Sequence, residues 1–141
     1  MVEAKSPNVL IVDASGHIRR LVATLLAALG VRHCAEARDV SQAVAQTIKH
    51  QPELIILGLG SDSTEALLFV HRLRRGEFGK ATIPVLGIST STHHAVLEMA
   101  WEAGIDEVVG KPISAIELMQ RAGALLAPPE RQQDPSRSAA E

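Results

Sequence analysis

Residues 9–30 read VLIVDASGHIRRLVATLLAALG, and both halves of a repeating unit lie within them. Val9, Leu10, Ile11 and Val12 make an unbroken apolar run of the kind that fills a strand covered on both faces. Ile18, Leu21, Val22, Leu25 and Leu29 then recur at helical spacing, and Gly30 closes the helix. A buried strand feeding straight into an amphipathic helix is the opening of a β-α-β unit.

The same alternation continues along the chain. Residues 31–35 predict a short second strand. Asp39 caps the next helix with Gln42 as its reciprocal partner, and Val40, Val44 and Ile48 supply that helix's apolar stripe. After Pro52, residues 54–57 form a third strand. Asp62 with Glu65 reads as a second capping box, opening a helix over residues 64–75. Residues 83–88 predict the fourth strand, with Pro84 near its beginning. A helix over 92–103 stops at Gly104, and residues 107–109 are a brief fifth strand. Ser114 with Glu117 starts the last helix, whose buried side carries Ile116, Met119, Ala122, Leu125 and Leu126. Five such units imply an α/β domain, a parallel sheet with helices on both faces.

The chain has 141 residues, enough for one domain and one core. An N-terminal extension over 1–6 precedes the domain at 7–127. The last stretch, 128–141, reads PPERQQDPSRSAAE, lacks apolar periodicity and predicts a flexible polar tail. With no room for an output domain after Leu126, a stand-alone module is expected. Apolar residues make up 46% and aromatics only 2%, so Leu, Ile, Val and Ala must build the core. A net charge of -2 gives no reason to expect nucleic acid or an anionic membrane as a partner. The lone Cys34 excludes an intramolecular disulfide and predicts a buried thiol. The polar start and the lack of any long apolar run predict a cytoplasmic protein.

In sheets of this class ligands bind beyond the carboxyl ends of the strands. The residues there are Asp13-Ala14, Gly58, Ser89-Thr90 and Lys111. Magnesium favours a hard oxygen shell with more than one carboxylate. A single Asp13 beside Lys111 predicts an ion pair instead, with Ser89 donating a hydrogen bond. His17 reads as a solvated or capping side chain and not as a catalytic histidine, and the adjacent His93-His94 lack the companions of a metal site. The basic segment HRLRRGEFGK, residues 71–80, reads as a solvated helix end, and no phosphate-binding loop accompanies it. No metal and no other cofactor is expected.

Taken together, residues 9–30, PELIILG at 52–58, IPVLGIST at 83–90 and AGIDEVVGKPI at 103–113 resemble the response-regulator receiver family of two-component signalling. The Lys111-Pro112 pair is the most distinctive match. The resemblance implies a flavodoxin-like fold with strand order 2-1-3-4-5. It also implies that Asp13 matches the first acidic position, Ser89 the hydroxyl and Lys111 the lysine of the family's phosphorylation site. Ala14 replaces the second acidic residue, and Gly58 stands at the phosphate-accepting aspartate. Glycine has no nucleophile, so no phosphoaspartate can form there. Val108 stands where the family carries an aromatic switch residue.

These departures predict a non-enzymatic pseudo-receiver that acts by binding a histidine kinase, a phosphotransfer protein or another signalling regulator. Two surfaces are expected to serve: His17, Ile18, Arg19 and Arg20 on the first helix, and Leu97, Trp101 and Val108 around the fourth. Self-association through the second surface stays open. The alternative is a small ligand or nucleotide bound in the vacated pocket. A third reading keeps phosphorylation at a displaced acceptor such as Asp62, Ser61 or Ser63.

Overall fold

A computed structural model of the protein describes residues 7–60 and 62–127. The expected extension at 1–6 and the expected tail at 128–141, like Ser61, lie outside the described residues. Strands and helices alternate strictly: β1 (Asn8–Val12), α1 (Gly16–Ala27), β2 (His33–Ala37), α2 (Val40–His50), β3 (Leu54–Leu59), α3 (Thr64–Arg74), β4 (Val85–Ser89), α4 (His94–Ala103), β5 (Glu107–Gly110) and α5 (Ala115–Leu126). The sheet runs β2-β1-β3-β4-β5, and every neighbouring pair is parallel. The strand order implied by the resemblance is the one observed.

Side-chain alternation splits the strands between two cores. Leu10, Val12, Ile55 and Leu57 face a core closed by α2, α3 and α4, around Phe69 and Leu73. Val9, Ile11, Leu54 and Ile56 face the opposite core, closed by Val22 and Leu26 of α1 and by Leu118 and Ala122 of α5. Burial on both faces is why these strands read as continuous apolar runs.

Several local expectations shift. β2 begins two residues later than predicted, because pairing with β1 matches Asn8 to His33 and Val12 to Ala37. Val31 is buried in the preceding turn, where its N–H reaches the Leu26 carbonyl. Residues 83 and 84 precede β4, although the Pro84 carbonyl still accepts from Ile55 N–H. α2 packs through the small side chains Ala43 and Thr47, which leaves Ile48 exposed. On α5, Leu118 and Ala122 form the buried line, and Ile116 is 71% exposed. The predicted Asp62–Glu65 box does not form. Asp62 accepts from Thr64 N–H two residues on, and Ser63 is the cap of α3 with no side-chain bond. The other two boxes place their caps as expected, Asp39 accepting from Gln42 N–H and Ser114 from Glu117 N–H.

The basic segment turns inward. Arg74 donates to the carbonyls of Ala81, Ile83 and Gly104 and pairs with Asp106, which itself accepts from Val85 N–H. Gly104 has φ +106°, and a Cβ there would lie 2.8 Å from the Arg74 side chain. Arg72 pairs with Glu77 and lies 4.9 Å over the Phe78 ring. These cations hold α3, the loop after it and the turn before β5 together, so the segment is structural.

Candidate functional site

The carboxyl ends of β1, β3, β4 and β5 bring Asp13, Gly58, Ser89 and Lys111 to one edge of the sheet. Val12 is paired with Leu57, so Asp13 and Gly58 leave adjacent strands side by side. Asp13 Oδ1 accepts from Ser15 N–H at 2.8 Å, a bond that helps turn the chain into α1. Its other oxygen, Oδ2, lies 3.7 Å from Lys111 Nζ. The carboxylate is nearly buried, with its side chain 10% exposed. The expected Asp13–Lys111 pair is present.

Gly58 explains why Asp13 can lie there. A Cβ built on Gly58 would stand 2.3 Å from Asp13 Oδ2, 3.0 Å from its Cγ and 3.2 Å from the Val12 carbonyl oxygen. The carboxylate therefore fills the space that any side chain at position 58 would need. A side chain at position 58 would have to displace the neighbouring strand's carboxylate.

Ser89 does not take the expected part. Its hydroxyl donates to the Ser91 carbonyl at 2.7 Å and accepts from Ser91 N–H, which closes the turn after β4. The hydroxyl is satisfied locally and gives Asp13 nothing. At the neighbouring strand end, a Cβ on Gly110 would lie 3.3 Å from Thr92 Cγ2, so the loop before α4 lies close over β5.

Arg19 carries a role the sequence did not reveal. Its Nε pairs with Glu36 on β2 at 2.7 Å, and its Nη1 donates to the Asp13 carbonyl at 2.6 Å. The side chain is a clamp between β1 and β2, so its place among the docking residues is withdrawn. No local spacing announces such a bond, because Glu36 is 17 positions away. Ile18 is half-buried against the α1–α5 core, leaving His17 and Arg20 exposed on that helix. On the other proposed surface Val108 is buried at 8% exposure and belongs to the core, and Leu97 packs partly against it. Trp101, 45% exposed, and Met99 remain accessible on α4.

The pocket above Gly58 is an open cleft of ≈ 440 Å³ that reaches Arg38, Asp39, Asp62 and Glu65 at its rim. Hydrogen bonds from the Thr64 side chain, then its backbone N–H, hold the Asp62 carboxyl below its ordinary range. Those bonds commit Asp62 to opening α3. Among the described residues, no group of three or more His, Cys, Asp or Glu side chains is placed to hold a metal ion. The magnesium that the fold family implies does not fit the residues present. Positions 14 and 58 offer no carboxylate, and the Lys111 cation already attends Asp13.

The family model described as the response regulator receiver domain matches residues 9–123. The phosphate regulon transcriptional regulatory protein PhoB of Pseudomonas aeruginosa is 31% identical over 119 residues, which cover 84% of this chain and 51% of that protein. The KDP operon transcriptional regulatory protein KdpE of Escherichia coli is 32% identical over 114 residues, 81% of this chain and 48% of that one. The chain spans about half the length of the curated relatives it matches. A putative response regulator from Chloroflexus aurantiacus superposes with a TM-score of 0.79 at 22% identity, over 88% of this chain and 100% of that one. The receiver domain of NtrX from Brucella abortus gives 0.68 at 28% identity, over 84% and 97%. Relatives named as transcriptional regulatory proteins lend no support to the expectation that nucleic acid plays no part. No helix among the described residues is long and apolar enough to cross a membrane.

Proposed function

Since this chain belongs to the response regulator receiver domain family, we propose that it serves two-component signalling as a pseudo-receiver that takes no phosphoryl group and acts through protein contacts. The observation that carries this reading is the Asp13 carboxylate lying over Gly58, in the space where an acceptor side chain would stand. Phosphoryl transfer to a carboxylate needs a nucleophile in line with the donor and cations on the developing charge. Position 58 has no side chain, the metal shell lacks two carboxylates, and Lys111 is engaged with Asp13. Each defect alone would slow the reaction; together they leave no route for it through this site.

On this reading the protein is not an enzyme, and its output depends on surfaces that survive the loss of chemistry. His17 and Arg20 on α1 and Trp101 and Met99 on α4 are the exposed groups that a histidine kinase, a phosphotransfer protein or another regulator would meet. The test is direct. The protein is incubated with acetyl phosphate and magnesium, and separately with a phosphorylated phosphotransfer protein, beside a receiver that is known to accept. Intact mass should show no added phosphoryl group under either condition. A phosphorylated species, with its acceptor located by borohydride trapping, would end the proposal.

A further inference from the structure

We propose that the groove between α2 and α3 docks an amphipathic helix of a partner protein, with that helix's N-terminal end over Glu65 and its C-terminal end over Arg72. It takes its biological use from the contact-based reading above, but concerns a different surface.

The groove has a volume of ≈ 370 Å³. Glu65, Leu68, Phe69 and Arg72 line it on α3 at positions i, i+3, i+4 and i+7, a single stripe of that helix. Val40 and Val44 line it on α2, and Ile48 continues their row by one more turn. Phe69 is buried and makes the floor, whereas Leu68 is 54% and Ile48 55% exposed. Each helix therefore holds a large apolar side chain open to solvent beside one shared depression. Such a pair is what a docked apolar row would cover.

The occupant follows from the groove's walls and its charges. Both walls are helices whose backbone groups are bonded internally, so no free strand edge is on offer. An extended segment lying there would leave its own N–H and C=O groups without protein partners, whereas a helix brings its bonds with it. A two-fold pair of this chain would set groove against groove, and packing needs a ridge to enter a groove. The ends of the groove differ in sign. Asp39, Asp62 and Glu65 stand at the end near the carboxyl edge of the sheet, with Arg38 the cation beside them. Glu65 makes no ion pair among the described residues. The opposite end carries Lys49 and His50 in the last turn of α2 and Arg72 and Arg75 near the end of α3, with Glu77 shared by the two arginines. A helix presents a positive end at its N-terminus and a negative end at its C-terminus, so its dipole matches this polarity in one direction only.

The experiment uses the full chain and two fluorescent, side-chain-stapled amphipathic peptides of equal composition and identical apolar row. One has lysines in its first turn and glutamates in its last; the other has them exchanged. Anisotropy titrations should favour the first peptide by several-fold, and its amide shifts should fall on α2 and α3. Leu68→Ser should weaken it by about tenfold, the worth of covering half a leucine. Glu65→Lys should remove the preference for one orientation. Circular dichroism of each variant checks that the fold is kept. Equal affinity for both peptides, or full affinity in Leu68→Ser, overturns the proposal. So does a dimer that depends on Leu68 and excludes the peptide. The phosphorylation assay reads Gly58 and this titration reads Leu68, so either can fail without the other.

Discussion

Replacing Gly58 by alanine should force the Asp13 carboxylate out of its place and cost about 2 kcal/mol of stability. Gly58 is not among the glycines with positive φ, so an alanine is free to adopt its backbone conformation. The obstacle is the 2.3 Å approach of the new methyl group to Asp13 Oδ2. The Val12 carbonyl, 3.2 Å away, is backbone and moves little. Asp13 must therefore rotate, giving up the 2.8 Å bond from Ser15 N–H and the Lys111 contact at 3.7 Å. A hydrogen bond to a charged group contributes roughly 1.5–3 kcal/mol. The ion pair, longer than a hydrogen bond and partly open to water, adds at most about 1. Alanine in a strand returns roughly 0.5–1 kcal/mol relative to glycine. The balance is a loss of about 2 kcal/mol for Gly58→Ala alone. In an Asp13→Ala background nothing is displaced, and the same substitution should be neutral or slightly stabilising. Urea denaturation followed by far-UV circular dichroism on the four proteins gives the coupling energy. A coupling below about 0.5 kcal/mol, the scatter of independent sites, would refute the idea that Asp13 occupies the place of the missing side chain.

Arg74 should matter more for stability than its partly exposed position suggests. Arg74→Ala leaves three carbonyls without this donor and Asp106 without its cation, and should cost about 2–4 kcal/mol in the same denaturation assay. Arg74→Lys should recover only part of it, since an ammonium group cannot span that fork; full recovery would show that charge alone matters. Cys34 gives a test in the alkaline range. Burial, and then the Glu36 carboxylate, push its thiol above the ordinary value. The folded chain therefore holds the proton more tightly than the unfolded one. The stability this represents is intact below the unfolded thiol's pKa and is lost as pH rises through the folded one. Ellman's reagent should accordingly react more slowly with native protein than with urea-unfolded protein in mildly alkaline buffer, and equal rates would contradict the shift.

The architecture was legible because its signals are local. Strands covered on both faces read as apolar runs, helices as a repeating face, and Asp39, Ser114 and Gly104 mark helix ends through bonds spanning only a few residues. The order of the strands was not in that pattern and came from the family resemblance. That positions 14 and 58 carry no carboxylate was legible too, but the weight given to those two positions also came from the resemblance. Local periodicity misplaced Ile48 and Ile116, because it ranks residues by polarity but not by which face the sheet covers, and the resemblance misplaced Val108, which is buried. Small residues such as Ala43 and Ala122 took the tight helix–sheet contacts and turned the larger ones outward.

What the sequence determined by itself is the succession of elements and the absence of a nucleophile at position 58. What only the tertiary structure decided is how that absence is filled. Asp13 leans over Gly58, Arg19 ties β1 to β2, and Arg74 gathers three carbonyls from two loops. Each of these arrangements includes a partner far along the chain, Gly58 for Asp13, Glu36 for Arg19 and Gly104 for Arg74, and nothing in local spacing records it. Those bonds exist only once the strands are paired, because pairing brings the partners within hydrogen-bonding reach.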